Sequence, residues 1–268
     1  VKSEHFHAVF DSIEDFIDTA AKHQQYGEYG AWGGGLTWEE IEQYAHNGWP
    51  EGAQRAERMR LDIIDRLGSL GLEGLDQVEN YDVSGAFVDV GAFCEGEPEC
   101  MVEYDEQVMP NQRVARIYVQ INYLSRVTPA QAERRGVAIA AIVDALEAHG
   151  MQCEIWAVDH TCNSRTDRDD GTATHGVLVK KAGQLLPLDR IAFAIGHPSF
   201  YRGASFSVRG SLWKYQNGVT RDVPPEWIDE GDLLIPAMIA EDPWWQSDDA
   251  AVDWVSARVA EFMERSMV

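Results

Sequence analysis

Val114-Ala115-Arg116-Ile117-Tyr118-Val119-Gln120-Ile121-Asn122-Tyr123 opens the stretch that decides the fold. Apolar residues recur at Val114, Ile117, Val119 and Ile121 among β-formers, which predicts a strand. Thr128-Pro129-Ala130 then opens a long helical run with proline at the first helical position, ending near His149-Gly150. Cys153 to Val158 follows at once as a second strand. A strand–helix–strand unit of this length predicts a parallel pair joined by a right-handed crossover.

Outward from this unit the pattern stays mixed. On the N-terminal side, Ser3 to Ala21 reads as an acidic helix, with Phe6, Phe10, Ile13, Phe16 and Ile17 near helical spacing. In the Gly/aromatic loop Tyr26 to Gly35, the triplet Gly33-Gly34-Gly35 reads as a mobile linker, the alternative being that Tyr29 and Trp32 touch a ligand. Thr37 and Glu40 have the spacing of a capping box, and a further helix spans about Glu51 to Leu67. Beyond Gly74, strands are expected at Gly85 to Phe93 and Cys100 to Tyr104. On the C-terminal side, Thr161 to Thr174 reads as a polar loop and Gly176 to Lys181 as a strand. Leu188 to Ile195 reads as a short helix, Ala204 to Val208 and Ser211 to Tyr215 as strands, and Ala250 to Met263 as a last amphipathic helix. The fold class expected is mixed α/β (α+β): a central mixed sheet with flanking helices, and not an OB-fold. The expected organisation is a helical segment 1–75 packed on a core 76–222, followed by an acidic segment 223–268.

Composition narrows the function classes. Apolar residues at 45% and aromatics at 10% are enough to fill a core. Four irregularly spaced cysteines, Cys94, Cys100, Cys153 and Cys162, fit neither a disulfide framework nor a zinc knuckle and read as buried free thiols. No apolar run approaches the ~18 residues of a membrane span. The polar N-terminus does not read as a signal peptide, so a cytoplasmic setting is expected and no membrane partner. The net charge of −23 is unevenly spread. From Arg113 to Arg221 there are 14 Lys/Arg against 9 Asp/Glu, a local +5 that leaves −28 for the rest. A basic middle therefore lies between two acidic ends.

Lys180 to Arg221 interleaves seven cations with rings and holds one acid, Asp189. Cations that track phosphates beside rings that stack on bases are what single-strand binding requires, at ~1–3 kcal/mol per stacked ring. The candidate nucleic-acid-binding residues are Arg190, Arg202, Arg209 and Lys214 for phosphates, with Phe200, Tyr201, Trp213 and Tyr215 for bases. The alternative is a half-buried sheet with core aromatics and solvated cations. In the acidic C-terminal segment, Trp244 and Trp245 stand among carboxylates as a candidate partner-binding pair. No cofactor or metal is expected: the histidines form no H-x-x-x-H or H-E-x-x-H pair, and Asp167 to Gly171 lacks the closing Glu of a calcium loop. His197 at a helix end reads as a cation favoured by the helix dipole. No nucleophile signature occurs, so no enzymatic activity is expected.

Two family resemblances bear on function. Gln120-Ile121-Asn122-Tyr123-Leu124-Ser125, the helix around Arg134 to Ile139 and the strand Cys153 to Val158 resemble the opening of a von Willebrand factor A-type domain, over about a third of the chain. That family holds a metal through D-x-S-x-S. Here Asn122 stands at the Asp position and no second Ser follows Ser125 at the required spacing. The resemblance thus implies the fold but not the metal site, and a protein-binding adaptor that takes no nucleic acid. Size, acidity and the mixed α/β pattern also resemble phage single-stranded-DNA-binding proteins that act as RNA polymerase cofactors. That likeness implies single-stranded DNA as ligand, a homo-oligomer, recruitment of a polymerase or replication partner, and the host cytoplasm as location. It carries over no individual residue.

Overall fold

The computed structural model of the chain describes residues 7–22, 30–69, 79–84, 87–88, 93–94, 96–104, 114–148, 151–163, 172–185, 187–213, 218–229 and 231–266. Its centre is the expected unit. Strand β5 (Val114–Gln120) pairs in parallel with β6 (Gln152–Asn163), in the register Ile117 to Ile155 and Val119 to Ala157, and helix α4 (Pro129–Ala148) connects them. Thr128 and Gln131 close a capping box at the start of α4. The Thr128 hydroxyl accepts from Gln131 N at 3.3 Å, and Gln131 Oε1 accepts from Thr128 N at 3.0 Å.

Around this pair a mixed sheet assembles in the order β1-β7-β6-β5-β9, with β8 on β6. Strand β7 (Thr172–Lys180) is antiparallel to β6, whereas β1 (Ala8–Phe10) is parallel to β7 and β9 (Leu233–Ile235) is parallel to β5. The outer strands thus come from the N-terminal and C-terminal segments. Strands β2 (Glu79–Asp82), β3 (Phe87–Val88) and β4 (Met101–Tyr104) form a separate sheet in the order β2-β4-β3.

Helix α4 shows how the core is filled. Val137 to Val143, Ala145 and Leu146 are all buried, because α3 (Pro50–Ser69), α5 (Leu188–Gly196) and α7 (Asp248–Ser266) pack around it together with the sheet. A helix covered on every side needs no polar stripe. At its closest approach, Gly136 of α4 faces Gly196 of α5, and a Cβ added to Gly136 would lie 1.9 Å from Gly196 Cα.

Several local expectations change. The helix expected over Ser3 to Ala21 is a strand at Ala8–Phe10 followed by α1 (Ile13–Ala21). Ser12 ends the extended segment, since its hydroxyl caps Asp15 N at 3.1 Å while Glu14 and Asp15 sit in the first turn. Thr37 and Glu40 form the expected capping box at the head of α2 (Trp38–Asn47). The glycine stretch is a packed turn, not a linker. Ser199 Oγ donates to Gly33 O at 2.7 Å, and Gly34, at φ +97°, lies so close that a Cβ would meet that hydroxyl at 2.6 Å. Part of the supposed loop Thr161 to Thr174 is strand, because Thr161 and Cys162 pair both with β7 and with β8 (Gly218–Thr220). The loop Asp167 to Gly171, and Tyr29, lie outside the described residues.

The largest change falls on Ala204 to Tyr215. As far as Trp213, those two expected strands are a π-helical turn, Phe200–Ser205, running into α6 (Phe206–Trp213). Phe200, Ala204 and Val208, four apart, all enter the core, and Ser207 Oγ bonds back to Gly203 O at 3.0 Å. Among the described residues, no helix is long and apolar enough to cross a membrane.

Candidate binding site at the end of the central sheet

Folding the cation–ring stretch as helix turns most of it inward, and this corrects the expectation of an open strip. Phe200 is fully buried against Phe16 and Phe193, with ring centroids 5.0 and 5.7 Å away. Tyr201 is buried against Tyr123 at 4.8 Å and Phe206 at 5.1 Å. Arg209 is buried beside Asp159, Nε to Oδ2 3.1 Å, with its guanidinium over the Phe206 ring. Arg202 is fully buried as well. It donates to Trp32 O at 2.6 Å, to Val127 O at 2.7 Å and to Ser125 O at 3.4 Å, and it lies 4.0 Å from the Trp32 ring centroid. Arg190 is half-buried and ion-paired with Glu14. Trp213 ends α6, and its side chain, like Lys214 and Tyr215 as a whole, lies outside what the structure describes. Buried cations are held by carbonyls and carboxylates because an unpaired charge in the core is costly. The guanidinium groups of Arg202 and Arg209 are thereby committed to the fold.

His197 is corrected too. It caps the end of α5 in a box of Trp49, Phe193 and Tyr44, and burial pushes its pKa down to about 4. Ser199 N donates to its Nδ1 at 3.1 Å, which places the proton on Nε2 of a neutral ring. His175 is likewise held neutral near 4, chiefly by burial, stacked on Phe16 and near Ser205 Oγ at 3.2 Å. Cys100, Cys153 and Cys162 are buried thiols as expected, whereas Cys94 is exposed.

Among the described residues, a cavity opens at the carboxyl ends of β5 and β9. The two strands stay together as far as a last bridge between Tyr123 and Met238, then diverge. The space between is a cavity of about 410 Å³ lined by Leu124, by Thr220-Arg221-Asp222, by Pro236, Ala237 and Ile239, and by Asp242, Trp244, Trp245 and Trp254. Because β6 and β9 flank β5 on opposite sides, this is a topological switch point. In open α/β sheets, ligand crevices form outside the carboxyl ends of strands at such points.

The head of α4 fixes the cavity wall. Arg135, fully buried, donates to Gln120 O at 2.9 Å, Pro236 O at 2.5 Å and Ile235 O at 3.4 Å, thereby tying the ends of β5 and β9 together. Burial lowers its pKa to about 10, still charged at neutral pH. Arg134 bonds Trp245 O at 2.6 Å and Asp248 at 2.7 Å, and Gln131 bonds Ala240 O at 3.1 Å. On the other wall, Gln120 accepts from Val223 N at 2.9 Å and donates to Arg221 O at 2.7 Å. Asn122 spends its amide on His160 O at 2.5 Å and accepts from Gln120 at 3.1 Å. Trp244 is 43% exposed. Trp245 corrects the other half of the proposed pair: it is 2% exposed, packed edge-on against Trp254 at 5.0 Å, its indole N–H donating to Asp242 at 3.3 Å. Sequence reasoning marked Trp244 and Trp245 among their neighbouring carboxylates but missed Asp222 and Trp254, which the segments before and after β9 bring to one place.

An open mixed sheet, helices packed on it and a crevice at the strand ends define a mixed α/β protein. The chain belongs to the family described as Domain of unknown function (DUF7192), whose model matches residues 1–266. No curated protein and no solved structure matches it.

Proposed function

We propose that this protein is an interaction adaptor of the von Willebrand factor A-like kind, which receives a protein partner on the face where β5 and β9 end. The observation that carries the reading is the rigidly built crevice at the switch point, with apolar side chains left at the surface around it. Trp32 is 38% exposed, and Ile239 and Trp244 are each 43% exposed. Trp32 is pinned beside the β5 loop, its indole N–H donating to Ser125 O at 3.0 Å, and the Arg126–Glu241 ion pair of 2.8 Å joins that loop to the cavity wall. Exposed aromatics around a pocket, rimmed by polar residues, are what protein–protein hot spots use.

Single-stranded DNA binding is the less supported reading, because Phe200, Tyr201, Arg202 and Arg209 are buried and Arg190 is paired. The experiment is a pull-down from the native cell with and without nuclease, alongside an anisotropy titration with single-stranded and duplex oligonucleotides. Nuclease-resistant capture of a partner that Trp244→Ala releases supports the adaptor. Micromolar single-strand binding that Trp244→Ala leaves intact would replace it.

A further inference from the structure

We infer that the switch-point crevice takes a positively charged side chain, an arginine or lysine projecting from a basic segment of the partner. The inference rests on the adaptor reading and gives the partner its chemistry. Three indoles and two carboxylates line one small cavity. Trp245, 2% exposed, is packed edge-on against the half-buried Trp254 at an interplanar angle of 68°, and Trp244, 43% exposed, presents the open ring. Indole faces attract cations more strongly than other rings do, and a set of aromatic walls is the recurrent recognition device for ammonium and guanidinium groups.

Asp222 is exposed, whereas the half-buried Asp242 also acts through its charge on the buried Arg135. Among the described residues, neither Asp222 nor Asp242 is ion-paired. Asp242 accepts only the Ile239 N–H at 3.0 Å and the Trp245 indole at 3.3 Å. The cation that shares the lining, Arg221, turns Nε to Cys162 Sγ at 3.2 Å. Arg258 lies 5.6 Å from the Trp254 centroid and Arg135 5.8 Å from that of Trp245, so those two rings already meet cations of the chain and Trp244 is the ring exposed to an incoming one. The wider field has the same sign, since Val223 to Val268 carries eleven carboxylates against two arginines. An acidic partner would meet repulsion at this face, and a basic one would be steered to it.

The test uses the full chain and four capped Gly/Ser pentapeptides that differ only at the centre: arginine, lysine, citrulline or glutamate. Indole N–H resonances are followed by NMR and assigned from single Trp→Phe variants. The expected result is saturable shifts of the Trp244, Trp245 and Trp254 signals with the arginine and lysine peptides. Affinity should fall about tenfold in Trp244→Ala and in Asp222→Asn. Both positions are exposed, so folding is retained, and the spectrum outside the pocket reports it. Equal binding of citrulline, or any preference for glutamate, overturns the inference. If arginine peptides do not bind while Trp244→Ala still releases a captured protein, the cation reading fails and the adaptor stands. If they bind but no protein partner is retained, the pocket chemistry stands and the adaptor reading fails.

Discussion

At the scale of single residues, the buried titratable groups set how the protein responds to pH and to substitution. His197 has an ordinary pKa of 6.5 when unfolded and about 4 when folded. Between those values the unfolded chain holds more protons, so stability rises with pH: it is complete above about 6.5 and is lost as pH falls toward 4. Urea midpoints should therefore correspond to roughly 1 kcal/mol less stability at pH 5.5 than at pH 7.5 for this ring alone. His197→Gln should flatten that slope; equal slopes in the two proteins would mean the ring is not held neutral. Arg209 makes a sharper case. Removing it leaves the Asp159 carboxylate, which otherwise accepts only from Ser205 Oγ at 2.5 Å among its hydrogen-bond donors, in the core without its cation. Arg209→Met should cost about 3–5 kcal/mol in chemical denaturation. A nucleic-acid-contacting arginine at the surface would cost almost nothing, so the measurement also separates the two roles.

At the scale of elements, the same stretch explains both what was legible and what was not. The β5–α4–β6 unit, the Thr37–Glu40 capping box and the approximate extent of α4 and α7 could be read from period and end signals, because those elements obey local rules. The stretch Ala204 to Tyr215 misled because rings and small residues suit a strand, whereas the i, i+4 spacing of Phe200, Ala204 and Val208 was the truer signal. Helix packing supplies the element-scale prediction. With Gly196 backbone where a Cβ would go, α4 and α5 cannot keep their contact in Gly136→Ala. That variant should lose about 1–3 kcal/mol or more, although alanine is the better helix former, and thermal melting would show it. A neutral or stabilising effect would mean the two helices do not meet there.

For the whole molecule, charge and topology act together. With a net charge of −23, association with a basic partner should be fast at low salt, and raising ionic strength from about 0.05 to 0.5 M should slow it as the Debye length shrinks. Surface plasmon resonance with the captured partner measures this; a salt-independent on-rate would remove electrostatic steering from the account. Trp244→Ala should raise the off-rate at every salt concentration while leaving the melting temperature unchanged, since that ring stands in solvent.

The chain by itself determined the α/β class, the central parallel pair, the caps and the uneven charge, because each depends on neighbours a few residues apart or on composition. Which charges face water was decided only in three dimensions. Arg135, Arg202 and Arg209 look like surface cations in one dimension, yet carbonyls and a carboxylate from distant segments draw them into the core. The crevice likewise exists only once β9, more than a hundred residues downstream, settles beside β5 and opposite β6. A crevice made where strands diverge has no local sequence signature, because the divergence belongs to the order of the sheet.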